Sequence, residues 1–255
     1  MPRYKAIIEY LGTNYAGWQK QPNLPTIQEQ IQSAIFKFCN QQTLLVGSGR
    51  TDAGVHAYGQ VAHFDLLKPH RPGLVANAIN FYLINTGIVI LKAEIVAPDF
   101  HAIKSATHRN YIYKIINRSA PLVMEKNRAL LIKRHLDVNA MQLACKHLIG
   151  RLDFTSFRSS ECSAPSTYKE VSKLEITSIG ERIDIHIRAN SFLHHMVRNI
   201  VGTLLLIGLK KLDPDQMLNI LNAKSRTKAG PTAPACGLYL SLVEFEGVEF
   251  EELQF

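Results

Sequence analysis

Nothing in this chain approaches the roughly 20 consecutive apolar residues of a membrane span. Its best candidate, Ile200 to Leu209, is too short and is flanked by Arg198 and Lys210. The N-terminus, Met1-Pro2-Arg3-Tyr4, enters a strand-like pattern at once and lacks a signal-peptide core. A cytoplasmic location is therefore expected, with no membrane partner. Cysteine is scarce: Cys39, Cys145, Cys162 and Cys236 are widely separated and form no Cys-x-x-Cys pair. Neither a zinc knuckle nor a redox motif is signalled, and buried free thiols are the expectation. Acid is in deficit, with 21 Asp plus Glu against 29 Lys plus Arg and a net charge of +8. That balance favours a polyanionic partner, through phosphate neutralisation and counterion release.

The richest glycine cluster, Gly47-Ser48-Gly49-Arg50-Thr51-Asp52-Ala53-Gly54-Val55-His56-Ala57, lacks the lysine of a phosphate-cradling loop. It also lacks the spacing of the dinucleotide fingerprint. No second carboxylate accompanies Asp52, which removes a local two-carboxylate glycosidase pair. No Gly-x-Ser-x-Gly elbow or cysteine with catalytic context is seen. What the cluster does contain is one arginine and one carboxylate among glycines, directly after an apolar run. Glycine permits the tight turns that present a side chain, although structural turns of similar composition are common. A lone carboxylate beside a cation suits a single nucleophile or base kept ionised, so Asp52 is the leading catalytic candidate and Arg50 its neighbour.

With 255 residues the chain is long enough for one large or two smaller cores. Tyr4 to Tyr10 alternates as a strand. Thr26 to Phe38 has helical spacing, with Thr26 and Glu29 fitting a capping box. Thr43 to Val46 reads as a strand, Pro72 to Leu83 as a helix and Gly87 to Ile95 as a strand. Further on, strands are expected at Asn110 to Ile116, Tyr168 to Ile176, Ile183 to Ile187 and Gly237 to Phe245. Helices are expected at Asn139 to Leu148, stopped near Gly150, at Phe192 to Leu209, and after Asp213-Pro214-Asp215-Gln216. The pattern predicts an α+β protein of two related ferredoxin-like halves, 1–103 and 104–255. Their antiparallel or mixed sheets are expected to meet around a central cleft.

Three further features bear on function. Basic residues recur through Lys104, His108, Arg109 and Lys114, then Lys126, Arg128, Lys133 and Arg134, interleaved with Tyr111, Tyr113 and His135. That mixture supplies phosphate contacts and stacking surfaces for unpaired bases, or an ordinary solvated strand edge. Tyr111 and Tyr113 share one strand face, where core packing and site lining both remain open. On the expected helix 192–209, His194, His195 and Arg198 form a polar strip on an otherwise apolar surface, and buried polar groups need partners. Adjacent histidines diverge and no third ligand is spaced nearby, so no metal is expected. Arg198 is expected to pair with a buried carboxylate, with Asp52 the natural candidate.

Gly49-Arg50-Thr51-Asp52-Ala53-Gly54-Val55-His56 resembles the catalytic loop of the tRNA pseudouridine synthase A family. Other matches follow in family order: Glu9-Tyr10 through Tyr15-Ala16-Gly17-Trp18-Gln19, Asp99-Phe100-His101-Ala102, Asp153-Phe154-Thr155-Ser156-Phe157-Arg158, His194-His195-Met196-Val197-Arg198-Asn199-Ile200-Val201-Gly202, and Gly237-Leu238-Tyr239-Leu240. The resemblance implies a cofactor-free isomerase converting uridine to pseudouridine in the anticodon stem-loop of tRNA, at positions 38, 39 and 40. It implies a homodimer, two halves of related fold, an RNA-binding cleft and Asp52 as the catalytic aspartate. It further implies that Tyr111 stacks on the target base, that Arg50 enters the space the displaced base leaves, and that Arg198 is the ion-pair partner of the aspartate. One departure is Asn110, where many members carry a basic residue; Arg109 remains. Two other classes stay open on the residues alone: a non-catalytic RNA-binding protein, and a carboxylate-dependent glycosidase or nucleosidase that would release free uracil.

Overall fold

Two units make up the chain in the computed structural model, which describes residues 1–246. One comprises Met1–His108 together with the segment from Tyr239 onward; the other is Arg109–Leu238. This differs from a division into 1–103 and 104–255, because the last strand returns to the first unit and pairs there. Residues 247–255 lie outside the described residues.

In the first unit the elements are β1 (Arg3–Tyr10), α1 (Ile27–Cys39), β2 (Val46–Gly47), β3 (His56–Asp65), α2 (Pro72–Tyr82) and β4 (Ile88–Val96). β1 lies between β3 and β4 and is antiparallel to both. Its alternation buries Tyr4, Ala6, Ile8 and Tyr10 on one face. β2 pairs with the later part of β3, at Val46↔His63 and Gly47↔Ala62. On α1, Ile27, Ile31, Ala34 and Ile35 form the buried stripe that their spacing predicts. Only half of the expected capping box forms. Thr26 Oγ1 accepts from Glu29 N at 3.4 Å, whereas the Glu29 carboxylate turns to Lys20 Nζ at 3.2 Å.

β3 is a strand that the sequence pattern does not announce. Its side chains are buried on nearly every position, His56, Gln60 and His63 included. A strand covered on both faces shows no apolar-polar alternation, and its polar and small residues hide it further.

The second unit contains β5 (Ala106–Asn117), whose first three residues belong to the first unit, then β6 (Leu130–Ile132), α3 (Val138–Cys145), β7 (Gly150–Asp153), β8 (Tyr168–Ile179), β9 (Arg182–Ala189), α4 (Met196–Gly208) and α5 (Gln216–Asn222). Its antiparallel sheet runs β5-β9-β8-β7, with β6 added parallel to β5. The last strand, β10 (Leu238–Phe245), joins the first unit parallel to β3 at Tyr239↔His56 and Leu240↔Ala57. Both units are thus mixed α+β.

Two helix starts fall later than their sequence signals. α4 begins at Met196 rather than 192, because His195 adopts a left-handed conformation with φ 61°. α5 begins at Gln216, preceded by a turn over Pro214 in which Gln216 Oε1 accepts from Asp213 N at 2.9 Å. No helix among the described residues is long and apolar enough to cross a membrane. The four cysteines are free, but only Cys145 is fully buried, and burial raises its thiol to about 12.

β3 also carries an acid-sensitive group. His63 is 5% exposed, and its Nδ1 accepts from Ala102 N at 3.2 Å, so its neutral form is the one bonded. Burial, assisted by Arg3 and His101 against the opposing Asp65, lowers its pKa to about 4. The unfolded chain, with an ordinary histidine near 6.5, then binds more protons between pH 6.5 and 4. The contribution of neutral His63 is complete above pH 6.5 and is lost as pH falls through that window, by at most about 3 kcal/mol. Denaturant unfolding should show the stability gap between wild type and His63→Gln narrowing from pH 7 to pH 5. An unchanged gap would contradict the assignment.

Candidate active site

The loop between β2 and β3 is held by bonds to residues far from it in sequence. Trp18 N donates to Thr51 O at 3.0 Å and Gly54 N to Tyr15 O at 3.3 Å. The segment 15–18 therefore forms a strap along the loop. The strap approaches so closely that a Cβ on Gly17, itself at φ 98°, would lie 2.6 Å from Thr51 O. Trp18 is 2% exposed and lies against Gly47, where any side chain would strike its ring at 2.5 Å. Gly54, at φ 79°, closes a turn in which Val55 N donates to Asp52 O at 3.1 Å.

Side chains finish the work. Tyr10 and Thr51 share a buried hydroxyl bond of 2.8 Å, and burial raises the Tyr10 phenol, so it remains neutral. The Ser48 hydroxyl donates to Gln60 Oε1 at 2.7 Å, and Gln60 Nε2 donates to Gly49 O at 2.9 Å. At the far end, His56 Nδ1 accepts from Gly12 N at 3.0 Å, and its ring stacks on Tyr239. Ser48 and Thr51 are buried, Asp52 is half-buried and Arg50 is exposed. The loop is thus a rigid platform, and Arg50 and Asp52 are the candidate side chains it leaves near the surface.

In the second unit, Tyr111 stands on β5 opposite Ile187 of β9, half-buried, with Phe192 meeting it edge to face at 5.1 Å. Tyr113, two residues on, is fully buried and donates to Pro234 O at 2.8 Å. Burial raises its phenol strongly, against the opposing pull of Arg198. Tyr113 is therefore a packing residue, and Tyr111 is the less buried of the two. Arg109 is partly buried beside it, donating to Asn190 O at 3.0 Å.

Arg198 lies in the first turn of α4, and the segment 230–233 fixes its position. Its Nε donates to Ala233 O at 2.7 Å, while Ala233 N donates to Arg198 O at 3.0 Å. The next residue, Asn199, is fully buried; its Oδ1 accepts from Thr232 Oγ1 at 2.7 Å and from Arg226 at 3.0 Å. Arg226 also donates to Gly230 O at 2.9 Å. Sequence reading singled out neither Asn199, Arg226 nor Gln60, since nothing in local spacing marks a residue whose partners lie far along the chain.

The polar strip expected on one helix is arranged differently. Arg198 is helical, but His194 and His195 precede the helix with their rings 3.9 Å apart. The peptide groups around His194 tie down a neighbouring loop: Ser159 N donates to His194 O, and His194 N to Cys162 Sγ at 3.4 Å.

Comparison with known proteins defines the class first. The family model described as tRNA pseudouridine synthase matches residues 6–103 and 144–246, stretches that contain Asp52, Arg50 and Arg198 but not Tyr111. The class is that of isomerases acting on tRNA. Two relatives, both named tRNA pseudouridine synthase A, are each 46% identical to this chain. The protein from Paramagnetospirillum magneticum aligns over 96% of this chain and 96% of its own length, and that from Rhodospirillum rubrum over 97% and 89%. The chain belongs to the tRNA pseudouridine synthase family. A chain of a solved Cbf5-Nop10-Gar1 complex aligns at 13% identity and a TM-score of 0.31, over 79% of this chain and 54% of that one, a likeness too weak to bear on fold or mechanism.

Proposed function

We propose that this protein converts uridine to pseudouridine in the anticodon stem-loop of tRNA, at positions 38, 39 and 40, with Asp52 as its essential carboxylate. The observation that carries this reading is the platform itself. Bonds on Ser48, Gly49 and Thr51 immobilise the loop and leave Asp52 half-buried beside an exposed Arg50. The reaction breaks the N1–C1′ bond, rotates the uracil, forms a C5–C1′ bond and removes the proton from C5, while N1 gains a proton. Neither electrons nor a phosphoryl group enter the balance. One ionised carboxylate serves each available route: addition to the sugar or base, or removal of the ribose 2′ proton.

Tyr111 is the proposed stacking partner of the target base, supported by its half-buried face and the edge-on Phe192 that fixes its ring. Arg50 is the proposed occupant of the space the base vacates. Flipping a nucleotide costs a few kcal/mol, which its charge and backbone contacts help to offset. Exposed Lys126, Lys133 and Arg134 supply cations for the RNA backbone. Arg198 is the proposed support for the carboxylate. Action on tRNA goes with a cytoplasmic location.

Incubation with unmodified tRNA, followed by mapping of pseudouridine, tests the function. Product at the anticodon stem-loop uridines is expected. No product on any tRNA would overturn the proposal, and release of free uracil would indicate a nucleosidase instead.

A homodimer is also proposed, supported by exposed Leu74, Phe81, Tyr82 and Ile84 on and just after α2, more apolar surface than one helix normally leaves to water. Light scattering should give the mass of two chains, and Phe81→Asp should give one. A wild-type protein of single-chain mass would remove this part of the reading.

A further inference from the structure

We propose that Gln60 is a positioning residue for Asp52, acting through the backbone of the platform loop rather than by touching RNA; this rests on the reading of Asp52 as the essential carboxylate. Gln60 lies on β3, opposite Ile8 of β1, and is fully buried. A primary amide removed from water must have its donors and acceptor satisfied, or it destabilises the fold. Here two of its bonds go to the loop, and the Tyr10 side chain is a further partner. Oε1 receives the Ser48 hydroxyl at 2.7 Å and Nε2 donates to Gly49 O at 2.9 Å. Ser48 is itself buried, and its backbone N donates to Val61 O at 2.7 Å, so the adjoining strand and the amide both grip Ser48, while Gly49 is held by the amide.

The consequence follows from loop geometry. Gly49 has nothing within 4 Å of where its Cβ would stand, so no side-chain packing fixes it. Without Gln60, the chain entering Arg50 is free to pivot about Gly49, the residue there best able to change φ and ψ. Thr51, on the other flank, is held by Tyr10 and by Trp18 N. Two polar grips thus bracket Arg50 and fix the chain on both sides, so the direction in which Asp52 projects is set before substrate arrives. A shift of about 1 Å in a reacting group costs as much as 10²-fold in rate.

The test compares Gln60→Met, which keeps the length but loses the amide's hydrogen bonds, with wild type in single-turnover pseudouridine formation, tRNA affinity and thermal melting. The single-turnover rate is expected to fall by about 10- to 100-fold while the dissociation constant for tRNA changes less than about threefold. Asn80→Leu is the control. Asn80 clamps Ile90 through the same two-bond pattern, away from the loop, so its loss should lower the melting temperature without lowering the rate of the folded protein. Ser48→Ala removes a single bond and covers the case in which Gln60→Met does not fold. It should reduce the rate by a smaller factor and should add nothing further in a Gln60→Met background. A folded Gln60→Met within twofold of the wild-type rate overturns the proposal, as does a Ser48→Ala variant with full activity. Asp52→Asn separates the two levels. If that variant retains turnover, the reading of Asp52 fails; if it is inactive while the Gln60 and Ser48 variants keep the wild-type rate, the positioning role alone fails.

Discussion

Replacing Asp52 with asparagine is expected to abolish product formation, lowering the single-turnover rate by about 10³-fold or more. The change is nearly isosteric and removes the charge while leaving the platform intact, because the loop is fastened at Ser48, Gly49 and Thr51. Melting temperature and tRNA affinity should therefore remain close to wild type, and the loss should fall on the chemical step. Turnover that survives the substitution would defeat the proposed mechanism. Arg198→Ala belongs in the same assay. As the proposed support for the carboxylate it should lower turnover more than tRNA affinity. Because its Nε also holds Ala233 O, a thermal melt is needed to count only the folded protein. Unchanged turnover would remove Arg198 from the proposed role.

Gly202→Ala is expected to be the most disruptive small substitution in the second unit. Gly202 sits on α4 where the segment 230–233 crosses it, and an added Cβ would lie 1.7 Å from Pro231 O and 2.9 Å from Pro231 C. Both are backbone atoms, which cannot swing aside as a side chain can. The contact is mutual, since a Cβ on Gly230 would lie 2.7 Å from Gly202 O. Alanine favours helices, but that gain is small beside a clash with a fixed backbone. A loss of about 2–4 kcal/mol follows, or roughly 5–15 °C in Tm for a chain of this size. The same displacement moves Ala233, which bonds Arg198 in both directions, so activity per folded molecule should fall too. Gly73→Ala provides the contrast: nothing lies within 4 Å of its Cβ position on α2, and it should be neutral or slightly stabilising. A Gly202→Ala protein melting within about 2 °C of wild type would show that the crossing segment yields.

Elements with one buried face were legible in the sequence. β1 alternates, and α1 shows an apolar stripe between Thr26 and a left-handed Asn40. β3 was not legible, because burial on both faces erases the period on which such reading depends. The start of α4 was misread for a related reason. The apolar pattern extends through Phe192 and Leu193, and nothing in it announces that His195 would take a positive φ and break the helix before Met196. The two tyrosines on β5 show the same limit: alternation puts them on one face, but only packing makes Tyr113 core and leaves Tyr111 half-exposed.

By itself the sequence determined the α+β class, the basic character suited to RNA, the absence of nucleotide-cradling and dithiol motifs, and the loop on which a single carboxylate stands beside an arginine. Tertiary structure alone decided what makes that loop rigid: Gln60 from β3, Tyr10 from β1, and the strap through Gly17 and Trp18. It also decided that the last strand closes the first unit rather than the second, and that Arg198 is fixed by a segment more than thirty residues downstream. The reason is physical. Glycine content and local charge are properties of neighbours along the chain, whereas the hydrogen bonds that satisfy buried polar groups are made with whatever residue folding brings within about 3 Å.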